Sequence, residues 1–289
     1  MTTTAEWVQG ARPRTLGASI APVVVGTAAA TLETSTIWWR AAVALGVAVA
    51  LQIGVNFAND YSDGVKGTDR DRRGPIRLTA TGTAQPEAVR RAAFVSFGLA
   101  AVLGLTLALA VNWWLIALGA AAIAAAWFYS GGGHPYGYAG FGEIAVLAFF
   151  GFAACTGSAY VQIVSVPAAA WWGSLVVGLP ACAVLLANNI RDIETDRVAG
   201  KRTLAVRVGG RAARRLFVAC LAGALVAVLP IGLDHPSAFL GLLALPFALG
   251  PARLVVTRED PPSLIRALVM TVRLEVVLAV FLAVGLVLA

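Results

Sequence analysis

The chain has 289 residues, of which 59% are hydrophobic and 13% charged, and its mean hydropathy is +0.80. Soluble domains carry about 45–50% apolar and about 25% charged residues, so the charge here is too sparse to solvate a globular surface of this size. That argues against a disordered chain, a coiled coil or a soluble enzyme and leaves an all-α, polytopic membrane protein. The net charge of +7 fits nucleic acid, an anionic membrane face or an anionic substrate, and only the placement of the charges separates these. Cys155, Cys182 and Cys220 form no CxxC pair and lie in apolar stretches. They read as small core residues, with no disulfide framework or zinc site. Residues 1–14 lack a basic segment followed by an apolar core and a cleavage site, so no removable signal peptide is expected.

A spanning helix needs about 20 predominantly apolar residues. In chain order, nine stretches qualify, at roughly 15–33, 37–58, 91–111, 113–130, 142–163, 170–190, 214–233, 237–256 and 264–288. Small residues such as Gly119–Ala126 and Gly151–Ala154 let helices approach closely in lipid. No separate soluble domain interrupts them, and residues 1–289 read as one integral-membrane unit. Two long polar connections remain, Asn59–Arg90 and Arg191–Arg215. With the N-terminus in the cytoplasm, the connections after the second, fourth, sixth and eighth helices share its side. Of the 22 basic residues, Arg40 alone then falls on the opposite face. The positive-inside rule is thereby satisfied, and the site and both connections are expected at the cytoplasmic face of the cell membrane. Topology and anionic-lipid contact account for most of these cations. No aromatic-interleaved basic patch suggests nucleic acid.

The 15 acidic residues are scarce and clustered. Asn59, Asp60 and Asp63 close the second predicted helix, with Asp69 and Asp71 beyond, while Asn188, Asp192, Glu194 and Asp196 close the sixth. Asn59 and Asp63 are i,i+4 neighbours, as are Asp192 and Asp196, so each pair projects from one helical face. The two Asn-x-x-x-Asp clusters lie four helices apart, as a weak internal repeat. Carboxylates at a helix C-terminus oppose the macrodipole and repel one another. Divalent cations offset both costs, and Mg²⁺ typically takes one or two carboxylates plus substrate phosphates. Two facing Asp pairs near Lys201 and Arg202 describe a site for a metal-bridged diphosphate. Simple pairing with neighbouring arginines is the alternative.

A third polar stretch, Tyr129–Tyr138, falls on the same side and contains Gly131-Gly132-Gly133, which disfavours a regular helix. Its tyrosines could face a developing carbocation, and His134 or a tyrosine could handle a phenolic proton; an interfacial aromatic belt is the alternative. Glu143 reads as a first-turn acid of the next helix, and His235 as a loop residue on the opposite face. Arg273 and Glu275 lie deep enough in the last helix to need each other or another polar partner.

The segments Trp7–Thr15, Asn56–Asp69, Tyr129–Gly142 and Asn189–Val208 resemble the conserved stretches of the UbiA superfamily of intramembrane prenyltransferases. Within it they are most similar to the menaquinone-pathway branch. The general pattern Asn-Asp-x-x-Asp-x-x-x-Asp would place its last acid at position 67, where this chain has Gly67, with Asp69 two residues on. That departure is the form of the naphthoate branch. The resemblance implies a nine-helix bundle and transfer of a polyprenyl group from polyprenyl diphosphate to 1,4-dihydroxy-2-naphthoate. Carbon dioxide and diphosphate are lost, demethylmenaquinone forms, and Mg²⁺ is the cofactor. By motif position it implies Asn59, Asp60, Asp63, Asp69, Asp192 and Asp196 as metal and diphosphate ligands. Arg77, Lys201 and Arg202 would contact phosphate, with Arg14 beside the entrance and Tyr129 and His134 at the acceptor. The rival readings are a prenyltransferase for another aromatic acceptor, such as a hydroxybenzoate, and a membrane transporter. The latter would need polar residues across the midplane, and the sequence supplies few.

Overall fold

The computed structural model describes residues 2–68 and 77–289 and is all-helical, with no strand among the described residues. A short surface helix, α1 (Thr4–Gly10), precedes α2 (Gly17–Ala30), α3 (Trp38–Lys66), α4 (Pro86–Ala110) and α5 (Leu115–Phe128). The chain continues through α6 (Gly142–Ile163), α7 (Ala168–Arg191), the short α8 (Ile193–Val198) and α9 (Leu204–Val208), then α10 (Gly210–Asp234), α11 (Pro236–Thr257) and α12 (Pro261–Val287). In lipid every backbone polar group must be satisfied within the protein, which selects helices. This is a multi-pass membrane protein.

The sequence predicts nine spans, whereas seven helices among the described residues are long and apolar enough to cross a membrane by themselves. The segments expected at 15–33 and 113–130 fold as α2 and α5, of 14 residues each, about 21 Å at the helical rise. A 3-10 turn at Pro13–Thr15 occupies the start of the first. The second is delayed by a turn in which Asn112 accepts the N–H of Trp114 (3.3 Å). It ends just before the glycine triplet, where Gly132 is left-handed at φ +73°. Hydrogen bonds beside both helices tie their surroundings to the longer neighbours. Beside α2, Asn56 donates to Ala11 O (2.9 Å) at the polar end, and Ser165 donates to Glu33 (3.2 Å) at the far end. Beside α5, Asn112 donates to the Tyr160 hydroxyl (3.2 Å) at the far end. Arg40 is used there too, donating to Val161 O (2.9 Å) and so tying α3 to α6.

The helices form two packing groups. The first joins α3, α4 and α5 around Phe57, Phe97 and Leu78. The second gathers α2, α6, α7, α10, α11 and α12 around a core that includes Val176, Phe217, Leu264 and Leu278. At its centre is α7, whose most apolar stretch is 72% buried, against 33% for α3. Close approach in this group depends on missing side chains. A Cβ on Gly178 of α7 would lie 2.8 Å from the Cα of Gly151 on α6, and one on Gly26 of α2 would collide with the carbonyl oxygen of Cys155. Around Gly151, α6 widens into a π-helical segment, Leu147–Ala153.

The three cysteines are unpaired, with Cys155 and Cys182 buried. The expected Arg273–Glu275 pairing does not form. Residues two apart on a helix project to different faces, so Arg273 is exposed while Glu275 is fully buried with neither carboxyl oxygen hydrogen-bonded. Replacing Gly178 by Val should force α6 and α7 apart at a cost of about 1–3 kcal/mol. The expected result is a lower thermal unfolding midpoint in detergent, while Gly98→Val, at a site with open space around it, should leave the midpoint near that of the parent.

Candidate active site

The polar end is built around the last turn of α3. Asp63 accepts the Tyr138 hydroxyl at 2.5 Å, lies 3.3 Å from Lys201 Nζ and 4.0 Å from Arg77. All three charged side chains are more than nine-tenths buried. The Tyr138 ring is flanked by two ammonium groups, Lys66 at 5.0 Å and Lys201 at 4.7 Å from its centroid. Lys66 also donates to Ser130 O (2.7 Å) and Gly132 O (3.0 Å), pinning the glycine-rich loop to α3. Among the described residues, Lys201 and Arg77 thus lie against Asp63 and Lys66 stands across the Tyr138 ring, a gathering of cations where an anion would be stabilised.

Local structure delivers these groups. After α7 the chain turns at Asp192, whose carboxylate is held by the guanidinium of Arg191 through two bonds (2.7 and 2.6 Å). The Asp196 N–H donates to Asp192 O (2.8 Å), and Lys201 N–H to Asp196 O (2.8 Å), so the turn points Lys201 back to Asp63. Arg202 N–H donates to Tyr138 O (2.8 Å), which locks that turn to the glycine-rich loop. Asp60 has a different use. Its two oxygens accept the backbone N–H groups of Leu78 and Thr79, each at 2.9 Å, and this holds Arg77 beside Asp63. Glu143 accepts from Asn189 (2.9 Å), joining the start of α6 to the end of α7.

Below the charged cluster, between the two helix groups, lies a cavity of about 330 Å³ with mostly apolar walls. Asn59, Asn188, Tyr129 and Tyr136 line its polar end, along with Arg12. Asn59 Oδ1 is buried without a hydrogen-bond partner. Tyr129 and Tyr136 meet edge to face at 5.6 Å. Burial pushes the Tyr136 phenol up to about 12, so it stays protonated at physiological pH and donates to Ala125 O (2.8 Å). The Tyr129 side chain packs against Gly142 at the start of α6.

The predicted residues divide accordingly. Asp63, Arg77 and Lys201 converge directly, Asn59 and Tyr129 face the cavity, and Asp196 is buried within electrostatic reach of Tyr129. Asp192 is matched to Arg191, the arginine-pairing alternative. His134, Arg14 and Arg202 are exposed, and none of them lines the cavity. Asp69 lies outside the described residues. Among the described residues no three His, Cys, Asp or Glu side chains could cage a metal. The available donors are one or two carboxylates and an amide oxygen, the incomplete oxygen set that Mg²⁺ completes with phosphate and water.

Sequence reasoning missed Tyr138, Lys66 and Arg12. Tyr138 belonged to a stretch already singled out, but nothing in its spacing set it above Tyr129. Arg12 stands at φ +55°, left-handed and strained for a non-glycine residue, and one of its buried terminal nitrogens is unpartnered. No periodic pattern reveals such a position.

The UbiA prenyltransferase family pattern matches residues 19–287. The chain is 52% identical over 256 residues to the 1,4-dihydroxy-2-naphthoate octaprenyltransferase of Mycobacterium tuberculosis, covering 88% of each. It is 38% identical to the enzyme of the same name from Escherichia coli, over 93% of this chain and 91% of that one. In three dimensions it is similar to a UbiA homologue from Archaeoglobus fulgidus solved with GPP and Mg²⁺. That similarity has a TM-score of 0.69 at 16% identity, over 98% of this chain and 99% of the other. The pattern match and the full-length relatives agree, and the chain belongs to the UbiA prenyltransferase family.

Proposed function

We propose that this chain transfers a polyprenyl group from polyprenyl diphosphate to 1,4-dihydroxy-2-naphthoate, with loss of diphosphate and carbon dioxide. The product is the prenylated naphthoquinol, the reduced form of demethylmenaquinone. The observation that carries the reading is an apolar cavity whose polar end, lined by Asn59, Asn188 and Arg12, lies one helical turn from the Asp63 cluster with its Lys201 and Arg77. An isoprenoid diphosphate has this polarity, and relatives covering nearly the whole chain are named for this reaction.

The diphosphate is bound by Lys201, Arg77 and Lys66. Asn59, Asp63 and Asp196 are the oxygen donors that would hold Mg²⁺ together with the diphosphate, and the bound metal supplies charge neutralisation for the leaving group. Asp60 positions Arg77 through the Leu78 and Thr79 amides. As the allylic carbon–oxygen bond breaks, its electron pair leaves with the diphosphate, where the cations stabilise it. The rings of Tyr129 and Tyr136 face the allylic carbon and stabilise its positive charge, and the apolar walls keep water from it. The ring carbon that carries the carboxylate bonds to that carbon, and the ring-to-carboxylate bond then breaks, its electron pair returning to the ring as carbon dioxide leaves. No proton is gained or lost at the ring. Arg12 holds the acceptor carboxylate before it departs, in place of the exposed Arg14.

The whole chain is read as one domain of nine spans, with α2 and α5 completed by their flanking turns. The N-terminus and both Asp clusters face the cytoplasm. What supports this is the apolar character of α2 and α5, the contacts beside the two ends of α2 and the isolation of Arg40 from the other basic residues. A transporter reading lacks support, because the charged and amide side chains of the cavity, Arg12, Gln52, Asn56, Asn59 and Asn188, gather at one end.

Purified protein in detergent should form prenyl-naphthoquinol from dihydroxynaphthoate and a polyprenyl diphosphate, with mass spectrometry as the readout, and EDTA should stop it. Full turnover in EDTA, or preferential prenylation of hydroxybenzoate in competition, would refute the metal or the acceptor assignment respectively. Asp63→Ala should lower kcat by roughly 100-fold or more, the scale of removing a transition-state charge contact. Arg12→Gln should raise KM for the acceptor roughly tenfold while changing KM for the donor much less; equal effects on both would remove Arg12 from the acceptor site. Single cysteines at Thr34 and Ser237 in a Cys-free protein should react with an impermeant maleimide from the outside of intact cells, and one at Arg202 only after lysis.

A further inference from the structure

The cavity ends far from the charged cluster, and the residues at that depth are unusual. On α3, Ala44 lines the cavity about four turns, roughly 22 Å, from Asn59. At a similar depth the walls are Gly104 of α4, Gly119 of α5 and Gly157 of α6, each within about two turns of its helix's far end. All three occupy inward-facing stripes. Gly104 falls in step with the buried residues Ala100 and Ala108, Gly119 with the cavity residues Leu115 and Ala122, and Gly157 with Ala153 and Val161.

Close helix packing is the ordinary reason for glycine in a membrane helix, and it accounts for Gly26, Gly151 and Gly178. It does not account for these three. A Cβ built at Gly104, Gly119 or Gly157 meets no atom within 4 Å, so each borders open space. That space is the cavity itself. Gly98, equally unhindered, is an exposed position that does not line the cavity.

We propose that Gly104, Gly119 and Gly157 form a gauge for prenyl chain length. They hold the distal cavity open so that a long isoprenoid tail can pass, and side chains at these positions would select shorter donors. The proposal rests on the prenyltransferase reading and deepens it. A donor of two isoprene units anchored at the charged end stops short of the three glycines, whereas a long polyprenyl chain must cross their level. Side-chain volume there therefore acts on one donor far more than on the other.

The test is a graded series, Ala, Leu and Phe, at each of the three positions. Each variant is assayed with geranyl diphosphate and with a long-chain polyprenyl diphosphate in the same preparation. The ratio of the two kcat/KM values cancels the folded fraction, so a partly misfolded variant still gives an answer. The long-to-short ratio should fall with side-chain size, by roughly tenfold or more for Phe, the scale of overpacking a filled site. A ratio independent of size at all three positions overturns the gauge. An unsubstituted protein that forms no product from either donor overturns the prenyltransferase reading instead.

Discussion

Asp63 is a carboxylate at the C-terminal end of a long helix, where the macrodipole is unfavourable to it, and it is buried as well. It can persist there only if cations and donors come to it. They come from three separate segments: Lys201 from the turn after α8, Arg77 from the segment leading to α4, and Tyr138 from the glycine-rich loop. Gathering these groups on one acid draws all three connections together over the end of the bundle. The result is a cluster of matched charges at one end of the bundle, and removing either side would leave the other buried and uncompensated.

The cavity depends on a second constraint, the separation of the helices into two packed groups. Within a group, missing side chains let backbones touch, as at Gly151 and Gly178. Between the groups, missing side chains keep a slot open, as at Gly104 and Gly119. The same residue type thus does opposite work in one protein, and only its surroundings tell which. Joining the slot to the charged end places a leaving anion and an apolar chain on either side of the reacting carbon.

Much of the polar end was legible in the sequence, because the Asp clusters follow helical spacing and sit where predicted helices stop. Other parts were not. Asp60 and Asp63 are three residues apart on one face and look equivalent, yet one caps the Leu78–Thr79 backbone and the other meets Lys201 and Tyr138. The sequence singled out Arg14 and His134, whereas Arg12 lines the cavity and Tyr138 meets Asp63; these segments are not regular helix, so no period says which way a side chain points. The strained backbone of Arg12, which turns the chain into α2, is visible only in three dimensions.

The sequence by itself determined the apolar helical class, the position of the polar connections and the concentration of basic residues in them. A bilayer imposes those properties along the chain, one segment at a time, so they need no knowledge of contacts. Only the tertiary structure decided which acid is matched to which cation, where the cavity lies, and that α2 and α5 are helical over 14 residues each. These depend on residues more than a hundred positions apart, such as Asp63 and Lys201, meeting at distances that no local pattern encodes.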